Sequence, residues 1–190
     1  WACDHGAQYF TARDPDFIAE LAVWQAAGVA APWPARITVF DADGRRGLQG
    51  EEVRFVGTPR MTAPARHLAQ GLDLRVQLTV NARQRSPHGW ESVTAERGML
   101  PEAFDGVLLA VPSPQAVPLL QPLSPALAAA AQAARMQACW ALMARFDAPL
   151  AVDFAAAFVR HGPLRWIARG RSKPGRDGLE TWSLHARADW

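Results

Sequence analysis

Apolar residues recur at three-to-four spacing over 14–27, where Phe17, Ile18, Leu21 and Trp24 share one face. Asp14 followed by Pro15 supplies a cap and a first-turn proline, so a helix is expected there, ended by Pro32 and Pro34. Two short strands are expected around the turn 41–44, with a polar connector over 45–52. A strand at 53–56 then passes through Gly57-Thr58-Pro59 into a helix at 61–70, with Gly71 as its C-cap. Leu74, Val76, Leu78 and Val80 alternate strictly with polar residues, which predicts a half-buried strand, and Trp90, Val93 and Ala95 mark another. The near-continuous apolar run 105–111 reads as a central parallel strand covered on both faces. Helices are expected at 114–120 and 123–134, and strands at 136–146, 155–160, 164–169 and 179–186. The glycine-rich, basic segment 170–178 reads as a mobile connector.

These elements make a mixed α/β chain in which one parallel-type element is followed by a mostly antiparallel sheet. The 190 residues, 49% hydrophobic and 20% charged, are enough for one core or two lobes that share one. With a net charge of +2, no strong field recruits nucleic acid or anionic lipid. Two cysteines, Cys3 and Cys139, give neither a disulfide framework nor metal-ligand spacing, and they read as reduced thiols in a cytoplasmic setting. The longest apolar stretches fall well short of the roughly 20 residues a spanning helix needs.

The residues alone carry little chemistry. The glycines Gly44, Gly47 and Gly50 lack a strand-to-helix setting and read as a turn or connector. The five histidines are scattered without ligand partners at helical spacing, so no metal site is expected. Arg169, Arg171, Lys173 and Arg176 could clamp a carboxylate or phosphate, although a solvated loop accounts for them more simply. The tryptophans on strands fit core packing better than nucleic-acid stacking.

The phrases DHGAQYFTAR (4–13), RFVGTPRMTAPARHLA (54–69), FDGVLLAVPSPQAVPLL (104–120), MQACWALMARF (136–146), WIARGRSKPGR (166–176) and ETWSLHARADW (180–190) carry a stronger signal together. In order and spacing they resemble a bacterial group of NAD/FAD-dependent oxidoreductases similar to renalase, within the flavin-containing amine oxidase superfamily. The resemblance implies a partial FAD-binding scaffold (1–9 and 51–118) interleaved with a substrate-side domain (10–50 and 119–190). Chains of that group begin with a GxGxxG unit and close on a further flavin-domain segment. The sequence here is accordingly expected to be incomplete at both ends, inactive by itself and prone to associate through exposed faces.

The resemblance implies FAD as cofactor of the parent protein, not retained by this piece alone, with an amine or NAD(P)H as the hydride donor. It places Asp4, His5, Gly6, Ala7 and Gln8 beside the flavin ring, Val80 at the adenine end, and Ala110, Val111 and Pro112 at the crossover toward the dinucleotide. Pro59 and Met61 match a segment packed between the domains. Met136, Cys139 and Leu142 would belong to the substrate-side sheet, and Trp140, Trp166, Trp182 and His185 would face the cavity over the flavin. No catalytic acid or base is nominated, because the flavin carries the redox step. The alternative is a small-molecule binding or interaction module that reuses the substrate-side fold without redox chemistry.

Overall fold

The computed structural model describes residues 1, 3–47, 52–176 and 178–189. Residues 48–51 of the expected connector, including Gly50, lie outside the described residues, as does Asp177 of the basic loop. Helices, one mixed sheet and antiparallel sheets together make a mixed α/β fold. No helix among the described residues is long and apolar enough to cross a membrane. The chain forms two compact units, Trp1–Leu72 with Ala138–Trp190 and Asp73–Gln137. That division cuts differently from the expected pair, since residues 10–72 and 138–190 belong to one unit.

In the first unit, helix α1 (Pro15–Ala26) starts where Asp14 caps it, its carboxylate accepting from Asp16 N at 3.0 Å and Phe17 N at 3.1 Å. These are two of the amides that a helix start leaves unpaired. Phe17 and Trp24 meet edge-to-face and both contact Phe10, while Leu21 is buried beneath. Gly28 at φ +70° then turns the chain into β1 (Ala30–Pro32), which pairs with β4 (Phe55–Gly57). A six-stranded sheet follows the order β3 (Gly44–Gly47), β2 (Ile37–Asp41), β9 (Ala156–Val159), β10 (Leu164–Arg169), β11 (Glu180–Ala186), β8 (Ala141–Phe146). All its pairs are antiparallel except β2 with β9.

The register settles which side chains share a face, because alternate residues on a strand point oppositely. Ile37, Val39, Ala156, Phe158, Trp166, Ala168, Ser183 and His185 fall on one face by their pairings. That face carries the core, where Trp33, Val56, Tyr9 and Met61 pack against Ile37, Ala156, Trp166 and Ala168. Trp182 and Glu180 lie on the opposite face with Arg169, and Trp182 packs edge-to-face on Phe154.

The second unit is an antiparallel meander, β5 (Val80–Ser86), β6 (Gly89–Thr94) and β7 (Gly98–Phe104), with helices α3 (Ser113–Leu120) and α4 (Pro125–Ala133). The α2 helix (Ala63–Leu68) belongs to the first unit. Two expected strands do not form here. Residues 74–78 precede β5 without pairing, and 105–112 are irregular, with Leu74 66%, Val76 69% and Leu108 97% exposed. An apolar run becomes a central strand only where neighbours pair with it on both sides, and among the described residues none does so. The strand expected at 136–146 is likewise confined to β8.

Candidate functional site

The most concentrated polar chemistry gathers where residues 3–8 cross the core-bearing face and meet the turn that follows β10. The turn is fixed first. After β10 a 3-10 turn (Gly170–Ser172) forms, and Ser172 Oγ donates to Arg169 O at 2.7 Å. The buried Trp33 indole donates to Ser172 O at 3.0 Å and pins the turn from the side. Gly170 is required by packing, because a Cβ there would lie 2.2 Å from Thr181 Oγ1. Gly175, at φ +72°, lets the chain pass over Pro59.

This anchored turn delivers Lys173 and Arg176 onto Asp4. Arg176 reaches Asp4 Oδ2 through Nη2 at 2.7 Å and Nε at 3.2 Å, and its other arm donates to Gly57 O at 2.8 Å. Lys173 Nζ donates to the same Asp4 oxygen at 3.2 Å and to Gln8 Oε1 at 3.1 Å, and it lies 5.5 Å from the Trp33 ring. The Lys173 side chain is only 1% exposed, against 11% for Asp4 and 12% for Arg176. The basic loop is therefore a built contact rather than the mobile, solvated connector the sequence suggests. Its residues looked solvated because nothing near them in sequence shows that Asp4 waits 172 positions away.

The orientation of Gln8 follows from its neighbours. Its oxygen accepts from Lys173, so its nitrogen faces the carbonyls of Asp4 and of Gly6, the latter at 3.1 Å. His185 Nε2 sits 3.0 Å from the His5 carbonyl, which can only accept, and so carries the proton; its 3.5 Å approach to the Gln8 nitrogen is then donor facing donor. Ser183 Oγ donates to Asp4 O at 3.0 Å and stands 3.0 Å from Cys3 Sγ. Strand β11 thus holds the backbone of residues 3–5 from below through Ser183 and His185.

Burial by itself would raise the Asp4 carboxyl, but the Arg176 hydrogen bond and the charges of Lys173 and Arg176 outweigh it and hold the group below the usual aspartate range. Burial likewise pushes the Lys173 ammonium down, and Asp4 only partly offsets this. Among the described residues one carboxylate, Asp4, answers two cations, Lys173 and Arg176.

Asp4 and Gln8 therefore enter the cluster directly. His5, Gly6 and Ala7 form its exposed outer edge, with the His5 and Gly6 carbonyls turned into it. Trp166 and His185 share the core-bearing face, with Trp166 buried against Tyr9 and Phe158. Trp182 lies on the other face and is buried there, while Trp140 is 73% exposed just before β8. These four aromatic and imidazole groups therefore do not line a common cavity in this unit. In the second unit, Val80 opens β5 opposite Thr94, and Ala110, Val111 and Pro112 lie exposed, with Pro112 O accepting from the first amides of α3. Sequence reasoning missed the roles of Lys173, Arg176, Ser183 and Trp33. The one usable signal was the tight SKPGR phrase, whose lysine and arginine flank a proline and a glycine.

No family model matches the chain. Among the described residues no group of three or more histidine, cysteine, aspartate or glutamate side chains could hold a metal ion. The fit of a flavin can be judged at its ring end. Gly6 has nothing within 4 Å of where a Cβ would stand, so a planar ring has room to approach there. Lys173 and Arg176 pair with Asp4 at the start of this segment. The edge at residues 5–7 is exposed and unobstructed, as the chain is at Gly28, Gly44 and other open glycines.

Proposed function

We propose that this chain is the substrate-side part, with some of the cofactor scaffold, of an FAD-dependent oxidoreductase similar to the renalase-like group, working in the cytoplasm. Bound flavin would supply acceptance of a hydride from a carbon next to nitrogen, in an amine or a nicotinamide-like ring. The protein residues position and polarise. Asp4, Lys173 and Arg176 fix residues 4–8 in place, and Gln8 and His185 lock the carbonyls of that segment. None of these groups is assigned a proton-transfer step, and the substrate is a small molecule rather than nucleic acid or lipid.

One observation carries the reading. The segment that the resemblance assigns to the flavin ring, Asp4–Gln8, is held from within by a lysine that is 1% exposed while His5, Gly6 and Ala7 remain open on the outer side. Such an arrangement spends a buried charge to define an exposed edge, which is typical of sites rather than of plain cores. Riboflavin, which carries the ring without the dinucleotide, is the direct probe. Saturable quenching of its fluorescence by the chain, lost in Gly6→Phe while the melting temperature holds, is the expected result. No quenching by the folded chain at millimolar riboflavin would overturn the reading in favour of a binding module of other specificity.

A further inference from the structure

A second polar site lies at the far end of the same sheet and has no part in the Asp4 cluster. A cavity of about 530 Å³ is lined by Val39, Phe158 and Val159 and by four arginines, Arg54, Arg160, Arg165 and Arg187. The arginines converge from separate parts of the chain. Arg160 follows β9, and its backbone N–H bonds Phe40 O at 2.8 Å. Arg165 lies near the start of β10, across the hairpin turned by Gly162 at φ +70°. Arg187 follows β11, tied by its N–H to Pro163 O at 2.8 Å. Arg54 precedes β4, with its guanidinium 5.2 Å from the Tyr9 ring centre.

Two carboxylates face this group among the described residues. Asp189 takes both arms of Arg187 at 3.1 and 3.3 Å, and Glu52 sits 3.8 Å from Arg54 and is shared with Arg13. Among the described residues four guanidiniums thus meet two carboxylates, and Asp189 acts on Arg165 as well as on Arg187. In addition, Arg54 Nε is buried without a hydrogen-bond partner, a donor whose desolvation nothing in the described chain offsets. Like charges gathered without counter-ions repel one another, so an assembly of this kind is stabilised by an anion that enters it. The walls are not uniformly polar: Phe158, half-buried on the core-bearing face, offers apolar surface beside the guanidinium forks.

We propose that this cavity binds a small organic dianion, a phosphate monoester carried on an apolar or aromatic body. The guanidinium forks pair with the phosphate oxygens and the body lies on Phe158. The site is independent of the flavin reading, since no residue of the Asp4 cluster contributes to it.

Isothermal titration of the chain with phenyl phosphate, inorganic phosphate and benzoate tests this. Phenyl phosphate is expected to bind saturably, more tightly than either of the others and more weakly as salt rises. The double change Arg160→Ala with Arg165→Ala should weaken it by about tenfold to hundredfold, the worth of a charge-assisted hydrogen bond or two, while Arg97→Ala in the other unit leaves it unchanged. If the double alanine variant does not fold, Arg160→Lys with Arg165→Lys decides: it keeps the charge and removes the forks, and an affinity reduced by at least about threefold is expected. Absence of saturable binding at about 10 mM, well beyond useful affinity, would overturn the proposal. So would benzoate binding as tightly as phenyl phosphate, equal loss in Arg97→Ala, or unaltered affinity in the lysine variant.

Discussion

Lys173 Nζ and Gln8 Oε1 meet at 3.1 Å in a place where the lysine side chain is almost wholly withdrawn from water. An ammonium so placed is held by partners rather than by solvent, and its partners differ in what their loss would do. Asp4 supplies the counter-charge shared by it and Arg176, whereas Gln8 supplies only a dipole.

Asp4→Asn should therefore be the costly change at this cluster. It leaves two buried cations with no counter-charge, and a loss of about 3 kcal/mol is expected. Lys173→Met, which removes the buried charge and keeps the volume, should lose clearly less or nothing, because Arg176 still pairs with Asp4. Urea unfolding of both variants beside the wild type measures the order, and the reverse order would contradict the charge balance described.

The same cluster sets a pH dependence with a definite sign. The folded Asp4 carboxyl titrates below its ordinary value of 3.8, so its contribution is complete above that value and fades as pH falls through the lowered one. The stability gap between wild type and Asp4→Asn should narrow as the medium is acidified below pH 3.8. Lys173 is depressed from 10.5, so the cost of its buried charge is present at neutral pH and is relieved as pH rises from the folded value toward 10.5. Wild type should then gain on Lys173→Met as alkalinity increases. Denaturant midpoints across the pH range give both gaps.

Gly170→Ala should destabilise by about 2 kcal/mol, because the added methyl meets a β-branched side chain that cannot swing away. Thr181 is buried, and its hydroxyl would stand 2.2 Å from the new carbon. Combining Gly170→Ala with Thr181→Ala should recover part of the loss, a coupling visible in a double-mutant cycle. Additive losses would mean that the glycine is needed for another reason.

The unpaired apolar stretches of the second unit predict self-association. Leu74, Val76 and Leu108 are each more than half exposed, and such surface seeks cover. Sedimentation should show mass rising with concentration, and Leu74→Lys with Val76→Lys and Leu108→Lys should shift the chain toward monomer. A monomer at every concentration would count against the prediction.

What could be read in the sequence depended on how far away the deciding neighbour lay. Helix α1 was legible because Asp14, Pro15 and the Phe17–Trp24 pair settle it within one stretch of chain. Strands β9, β10 and β11 fall within the strands expected at 155–160, 164–169 and 179–186. The parallel pairing of β2 with β9 was not legible, since nothing local to Ile37 or Ala156 records it. The run 105–111 misled for the converse reason: its composition is that of a central strand, yet being one requires flanking strands that its own residues cannot supply. At the site, Asp4 and Gln8 were found only through a family resemblance. Lys173 and Arg176 were seen but taken for solvated charges, because burial is a property of the assembled fold.

The distance along the chain between Asp4 and Arg176, 172 positions, also orders events in time. As the polypeptide leaves the ribosome, Asp4 emerges well before its counter-charges, so the ion cluster cannot close until Lys173 and Arg176 have followed. The second unit, whose meander joins strands adjacent in sequence, is complete well before then. The contacts that Lys173 and Arg176 make with Asp4 and Gln8 therefore form only after the strands of the meander have been made.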